Sequence, residues 1–263
     1  MVSEEIKTLL SLNEELRNLV DTKLQLDISG GSNKTFFVAF VLGKAYKTHE
    51  VTVLLCKNGY GEDAFMLTRT LFELMVTTAY ILQNKSEDRL MRYMNYDWVT
   101  RKKMYDYVKT KDALLASLNK AIESGSRENT IEEVEREYKT VMEKYNYRNG
   151  WSDRSIERMS ESIGRLDMYS TVYRLQCMVS HTNARSMNEY ITSTDQGIIL
   201  NIGPNWNLVE RSLVIAFDCF FHIAKEADRQ FTWGVGSTLE EMATKYAEKI
   251  GQLKIHLENL CGV

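Results

Sequence analysis

The chain has 263 residues and a single proline, Pro204, with 14 glycines beside it. Proline removes a helical N–H and blocks the preceding turn, so a long chain almost free of it is free to run in long helices. Apolar residues recur at helical spacing through most of the sequence, and the prediction is an all-α fold. It is read as one domain over residues 1–263, a bundle of about seven helices. A long helical hairpin is expected over about 86–146, and a small β-hairpin over about 189–203, where EYITSTDQGIILNIGP has strand composition around a turn.

Taken in order, Glu4 to about Leu26 reads as an amphipathic helix capped by Ser3. ISGGSNKT lacks the G-x-x-x-x-G-K-[ST] spacing of a phosphate loop and reads as an interhelix loop capped by Ser32 or Asn33. Phe36 to Cys56 and Asp63 to Gln83 are helices, the second the most hydrophobic of the chain. Ser86 is expected to start one long helix running through KAIES. A second arm, Thr130 to about Tyr145, opens with a Thr130/Glu133 capping box. Asn205–Gln230 and Thr238–Leu260 close the chain.

Charge narrows the function little. A net charge of −3 gives no global electrostatic reason to bind nucleic acid, although a local basic cleft is compatible with it. Arg101, Lys102, Lys103, Lys109 and Lys111, interleaved with Tyr105 and Tyr107, could follow a nucleic-acid backbone, but a solvated helix face with extended lysine stems fits the same residues better. The N-terminal acids of MVSEEIKTLL do not resemble a secretory signal, and the apolar run Phe36–Val41 is too short to span a bilayer. The expectation is therefore a cytoplasmic protein with no membrane partner. Cys56, Cys177, Cys219 and Cys261 lie far apart and read as buried thiols. His49, His181, His222 and His256 show neither HExxH nor paired carboxylate–histidine spacing, so no metal site and no cofactor is expected.

Two stretches carry candidate chemistry. On the hydrophobic helix, Arg69 and Glu73 stand at i, i+4, and a charge pair on such a helix is either an internal ion pair or one wall of a polar pocket. In Leu166–Arg185, Met168, Val172, Leu175 and Val179 form one apolar stripe, and Tyr169, Tyr173 and Cys177 a second. Between them Asp167, Arg174 and His181 follow one another at seven-residue intervals. On a regular helix these three project nearly in line, with Arg185 joining them if the helix continues past Asn183. A polar strip between two apolar stripes should line a cleft, a subunit contact or a buried network.

Arg69-Thr70-Leu71-Phe72-Glu73, the aromatic and charged run Arg89–Tyr105, and Trp151-Ser152 with the helix ending in Tyr173-Arg174 and Val179-Ser180-His181 together resemble an uncharacterised bacterial family of helical proteins. The match covers roughly residues 60–185. That family is more remotely similar to the HEPN proteins, all-helical and often dimeric, many of which are metal-independent endoribonucleases with R-x(4–6)-H on one helix. Arg174 and His181 fit that motif with six intervening residues. Leu175 stands where the usual polar residue would follow the arginine, and Cys177 where the bacterial family carries serine. The resemblance implies a ribonuclease of defence or toxin type. His181 would exchange the proton and Arg174 hold the phosphate, with Arg69, Glu73, Asp167 and Arg185 in supporting roles and Glu73 or Asp167 orienting the pair. It also implies RNA, a second copy of the chain and a regulatory protein as partners. The competing reading is a non-catalytic ligand-binding or scaffold module in which the same Arg/Glu/His residues form a structural network.

Overall fold

The computed structural model describes residues 3–84, 87–125, 129–148, 150–181, 183–195 and 197–252, except the side chains of residues 185, 188, 251 and 252. The chain is all-α apart from one two-stranded hairpin, and it packs as two compact units, Met1–Tyr80 with Ile156–Val263, and Ile81–Ser155.

In the first unit, α1 (Glu4–Asp21), α2 (Asn33–Lys57) and α11 (Val209–Phe231) pack on one another. Ser3 and Ser32 cap α1 and α2, each side-chain oxygen accepting the backbone N–H three residues on. α1 ends at Asp21, short of the expected Leu26. Val209, Leu213, Ala216, Phe217, Phe220, Ile223, Ala224 and Ala227 line one side of α11 at helical spacing, and all are buried. α12 (Gly236–Gln252) docks on α11 through Tyr246, whose ring stacks on Phe217 at 4.1 Å and whose hydroxyl donates to the Val214 carbonyl. The remainder of the expected last helix, with His256 and Cys261, lies outside the described residues. Cys56 and Cys219 are buried thiols, and burial pushes Cys56 up to about 12.

Among the polar side chains this core buries are His49 and Asn13, both at 0 % exposure. Asn13 Nδ2 donates to the carbonyls of Leu9 and Leu213, leaving Asn13 Oδ1 to accept from His49 Nε2 at 2.9 Å. The imidazole is therefore the Nε2–H tautomer, stacked on Phe220 at 4.4 Å. Burial, helped by Arg17, pushes it down to about 3.

α3 (Gly61–Gln83) begins where a strap from the far end of the chain crosses it. Asn205 N–H donates to the Gly59 carbonyl and Asn205 Nδ2 to Glu62 Oε1. A Cβ on Gly61 would stand 1.7 Å from the Asn207 carbonyl oxygen, so only glycine admits the strap. α3 is long and apolar enough by length and composition to cross a membrane, but half of that stretch is buried inside the protein.

The second unit is the expected helical arm, with one correction. The long fourth helix breaks into α4 (Asp88–Lys109) and α5 (Asp112–Glu123). Thr110 closes α4 with its hydroxyl on the Tyr107 carbonyl, and Lys111 turns extended (φ −133°, ψ 106°). α5 folds back so that Leu118 packs with Tyr105 and Val134. Ser86, the expected start of this helix, lies outside the described residues. α6 (Ile131–Tyr145) carries the expected capping box and packs antiparallel to α4 through Val99, Val141 and Tyr145. Arg92 closes the open end, donating to the carbonyls of Trp151 and Tyr145 under the Tyr147 ring. In the basic stretch, Arg101 pairs with Asp97, Lys102 with Asp106 and Lys109 with Glu135 of α6.

Gly61→Ala should cost several kcal/mol because backbone atoms, not a flexible side chain, occupy the space. Gly43→Ala, exposed on α2 with nothing within 4 Å, should stabilise by about 0.5–1 kcal/mol; urea denaturation of the two variants checks this. For His49, the unfolded chain takes up its proton near 6.5 while the folded chain resists until about 3. Its contribution is intact above about pH 6.5 and is lost as pH falls towards 3, at up to about 1.4 kcal/mol per pH unit. His49→Gln, which keeps a donor for Asn13, should flatten the fall of Tm between pH 6.5 and 5. An unchanged slope would assign that fall to other groups.

Candidate functional site

The site is built where the central helix lies on α3. That helix runs as α8 (Leu166–Met168), one π turn (Tyr169–Tyr173) and α9 (Arg174–Ser180). The Arg174 N–H reaches back five residues to the Tyr169 carbonyl. Within this turn the Thr171 hydroxyl donates to the Asp167 carbonyl at 2.8 Å. A π turn inserts one residue and rotates everything beyond it by about 100°.

That rotation corrects the expected faces. The inward residues of α9 and the π turn are Tyr173, Gln176 and Val179; Met168, Val172 and Leu175 are only partly buried. Gln176, fully buried, donates to Thr68 Oγ1 at 2.7 Å, and Thr68 passes its own proton to the Phe65 carbonyl. Tyr173 packs on Phe72 and donates its hydroxyl to Glu73 Oε1 at 2.7 Å. Arg69 Nε holds the same carboxylate oxygen at 3.1 Å, and its guanidinium lies over the Tyr173 ring. Burial, then the adjacent Glu73, raise the Tyr173 phenol well above its usual range. Arg69 and Glu73 thus form a half-buried ion pair closed by a phenol.

Arg174 and His181 do share a face. They line one open groove of about 480 Å³ with Tyr169, Tyr173, Cys177, Met178 and Asn183. Both are exposed. The Arg174 guanidinium stacks over Tyr169, which stacks on Tyr173, and reaches Glu157 of α7 (Ile156–Ser162) at 3.3 Å. His181 caps α9 in extended conformation, its N–H on the Cys177 carbonyl. The helix stops there, before Asn183. A second groove of about 460 Å³ begins at His181 and runs along Tyr190, Ile191 and Leu200.

The other candidates fall elsewhere. Asp167 lies before the π turn, is exposed, and does not line the groove. Glu73 orients neither Arg174 nor His181, because its bonds go to Arg69 and Tyr173. Arg185 sits in a 3₁₀ turn, Ala184–Ser186, with its side chain outside the described residues. Sequence reasoning missed Glu157 as the partner of Arg174, and Tyr173 as the link from the central helix to the ion pair. Tyr169 and Tyr173 showed only as a softer apolar stripe. Among the described residues, no group of three His, Cys, Asp or Glu side chains is placed to hold a metal ion.

The fold and groove define a helical protein that presents an Arg–His face beside an aromatic floor. The chain belongs to the family of unknown function DUF5677, which matches residues 35–198 and so includes every candidate site residue. No curated protein and no solved structure matches it significantly. The expected kinship with an uncharacterised helical family is met at that level.

Tyr173→Phe keeps the packing and removes only the charge-assisted bond to a half-exposed carboxylate. It should cost about 1 kcal/mol in urea denaturation at unchanged m-value. Arg174→Ala, whose side chain is 57 % exposed, should shift stability by less than about 0.5 kcal/mol.

Proposed function

We propose that this is a HEPN-like, metal-independent endoribonuclease whose groove takes single-stranded RNA. The observation that carries the reading is the pairing of an exposed arginine and an exposed histidine, two helical turns apart, on one open groove floored by stacked tyrosines. Two turns separate their Cα atoms by about 10 Å. A phosphate between them lies within reach of the Arg174 fork once it swings off Glu157, a long contact at a largely exposed pair. A flanking base can stack against Tyr169.

In this scheme RNA supplies the nucleophile. His181, neutral, takes the proton of the 2′-hydroxyl; the 2′-oxygen bonds to phosphorus, and the bond from phosphorus to the 5′-oxygen breaks. The departing oxygen takes a proton from solvent, and Arg174 balances the added charge on the phosphorane. The products are a 2′,3′-cyclic phosphate and a 5′-hydroxyl. Such an enzyme belongs in the cytoplasm, and a regulatory protein covering the open groove would restrain it.

One observation favours a second reading. Glu73 and Arg69, two of the six polar candidates, are engaged in holding the central helix to α3, which suits a scaffold whose groove binds a ligand without cutting it.

The test is incubation of a mixed RNA pool with protein in EDTA. Wild type should yield cyclic-phosphate ends, and His181→Ala should lose at least about 100-fold in rate, the usual worth of a general base. Arg174→Ala should lose a similar factor with folding intact. RNA bound but uncut by wild type would favour the scaffold reading, and cutting unchanged in both variants would place the chemistry elsewhere.

A further inference from the structure

A separate cavity of about 230 Å³ lies between α3, α11 and the turn from α7 to α8. Met75, Ile163 and Ile223 give it apolar walls, and Thr78, Arg165, His222 and Glu226 its polar groups. The chain leaves α7 through Gly164 (φ +72°), whose left-handed backbone lets the Arg165 N–H return to the Ser160 carbonyl at 2.7 Å. That sharp stop sets the Arg165 side chain against α11. Its Nη2 donates to His222 Nε2, and Asp218 Oδ1, one turn before His222, stands 3.6 Å from both nitrogens. Arginine only donates, so the His222 ring hydrogen is on Nδ1. The remaining guanidinium N–H groups bond to nothing among the described residues. Thr78 is 2 % exposed, and its Oγ1 has no hydrogen-bond partner among the described residues, a costly state for a buried hydroxyl. Glu226 accepts from Arg229 with Oε1 and leaves Oε2 open.

We infer that this cavity binds a free α-amino acid with a short branched aliphatic side chain, of the valine or leucine kind. Charge, spacing and size select that class. Arg165 is balanced by Asp218 and Glu226 by Arg229. A net anion would therefore meet two carboxylates and a net cation the guanidinium, whereas a zwitterion is complementary at both ends. His222 and Glu226 stand at i, i+4 on α11, which places their Cβ atoms about 5–6 Å apart on one face. A ligand carboxylate on the open Arg165 N–H groups and the Thr78 hydroxyl thus leaves its ammonium, one carbon away, within reach of Glu226 Oε2. The volume holds roughly eight water-sized groups, the size of valine or leucine, and Met75, Ile163 and Ile223 enclose the aliphatic end. The inference stands apart from the ribonuclease reading, since none of these residues lines the Arg174–His181 groove.

The experiment is isothermal titration calorimetry on the full chain with L-leucine and L-valine. Two analogues run beside them: 4-methylpentanoate, which lacks the amine, and 3-methylbutylamine, which lacks the carboxylate. At least one of the two amino acids should bind saturably, at millimolar concentration or tighter. Each truncated analogue should bind at least about tenfold more weakly, because it leaves one charged end of the cavity unpaired. Thr78→Val keeps the shape of the side chain and removes the unpartnered hydroxyl. It should raise the Tm of the ligand-free protein while weakening the amino acid about tenfold. Arg165→Gln should abolish binding with unchanged far-UV circular dichroism. No saturable heat from either amino acid would overturn the inference. So would an analogue that binds as tightly as leucine, or unchanged affinity in either variant.

Discussion

The hydrogen bonds that fasten the central helix to α3 decide what this protein can show to its surroundings. Tyr173 gives its hydroxyl to Glu73, and Gln176 gives its amide to Thr68. Both donors lie on the inward side of the helix, and a buried polar group without a partner is costly. Once these two are committed inward, the rotation of the helix is fixed. Arg174, His181 and Cys177 are then presented to the groove, and Asp167 is left on the other side of the π turn. The Arg69–Glu73 pair, which on an apolar helix could have been a stand-alone ion pair, gains its meaning from the phenol that closes it.

Much of the fold was legible in the sequence because it depends on local rules. The scarcity of proline, the caps at Ser3, Ser32 and Thr130, and the turn between two β-branched runs need only nearest neighbours, and each is where its residues place it. The candidate site was legible in half. Arg174 opens α9 and His181 caps its far end, so with no irregularity between them the spacing brings both to one groove. Asp167 is separated from them by a π turn that periodicity assumes away. The break at Thr110 escaped for a related reason: no glycine or proline marks it. The bonds from Tyr173 to Glu73 and from Asn205 to Glu62 join residues far apart in the chain, and no spacing rule reaches them.

The polar residues divide by task. His49 with Asn13, and Gln176 with Thr68, are sealed inside and bonded pairwise, so they help fix the register of helices. In the basic stretch of the second unit, Arg101 and Lys102 are paired with carboxylates of their own helix and Lys109 with Glu135 of α6. Arg174 is different. It lies on the surface, loosely held by Glu157 and backed by an aromatic ring, an arrangement that adds little to stability and leaves the guanidinium available to an anion. A groove of this kind offers charge for phosphate and a ring face for a base.

The claim at the centre of this account is that the Arg174–His181 groove receives an RNA phosphate. The most direct measurement is fluorescence anisotropy of a short 2′-O-methyl RNA, which can bind but not be cut, titrated with wild type and Arg174→Ala over a range of salt. Removing one phosphate contact should weaken binding and lower the slope of log K against log salt by about 0.7–1, while folding stays intact. Binding of equal strength and equal salt dependence in the two proteins, or no binding by wild type, would contradict it.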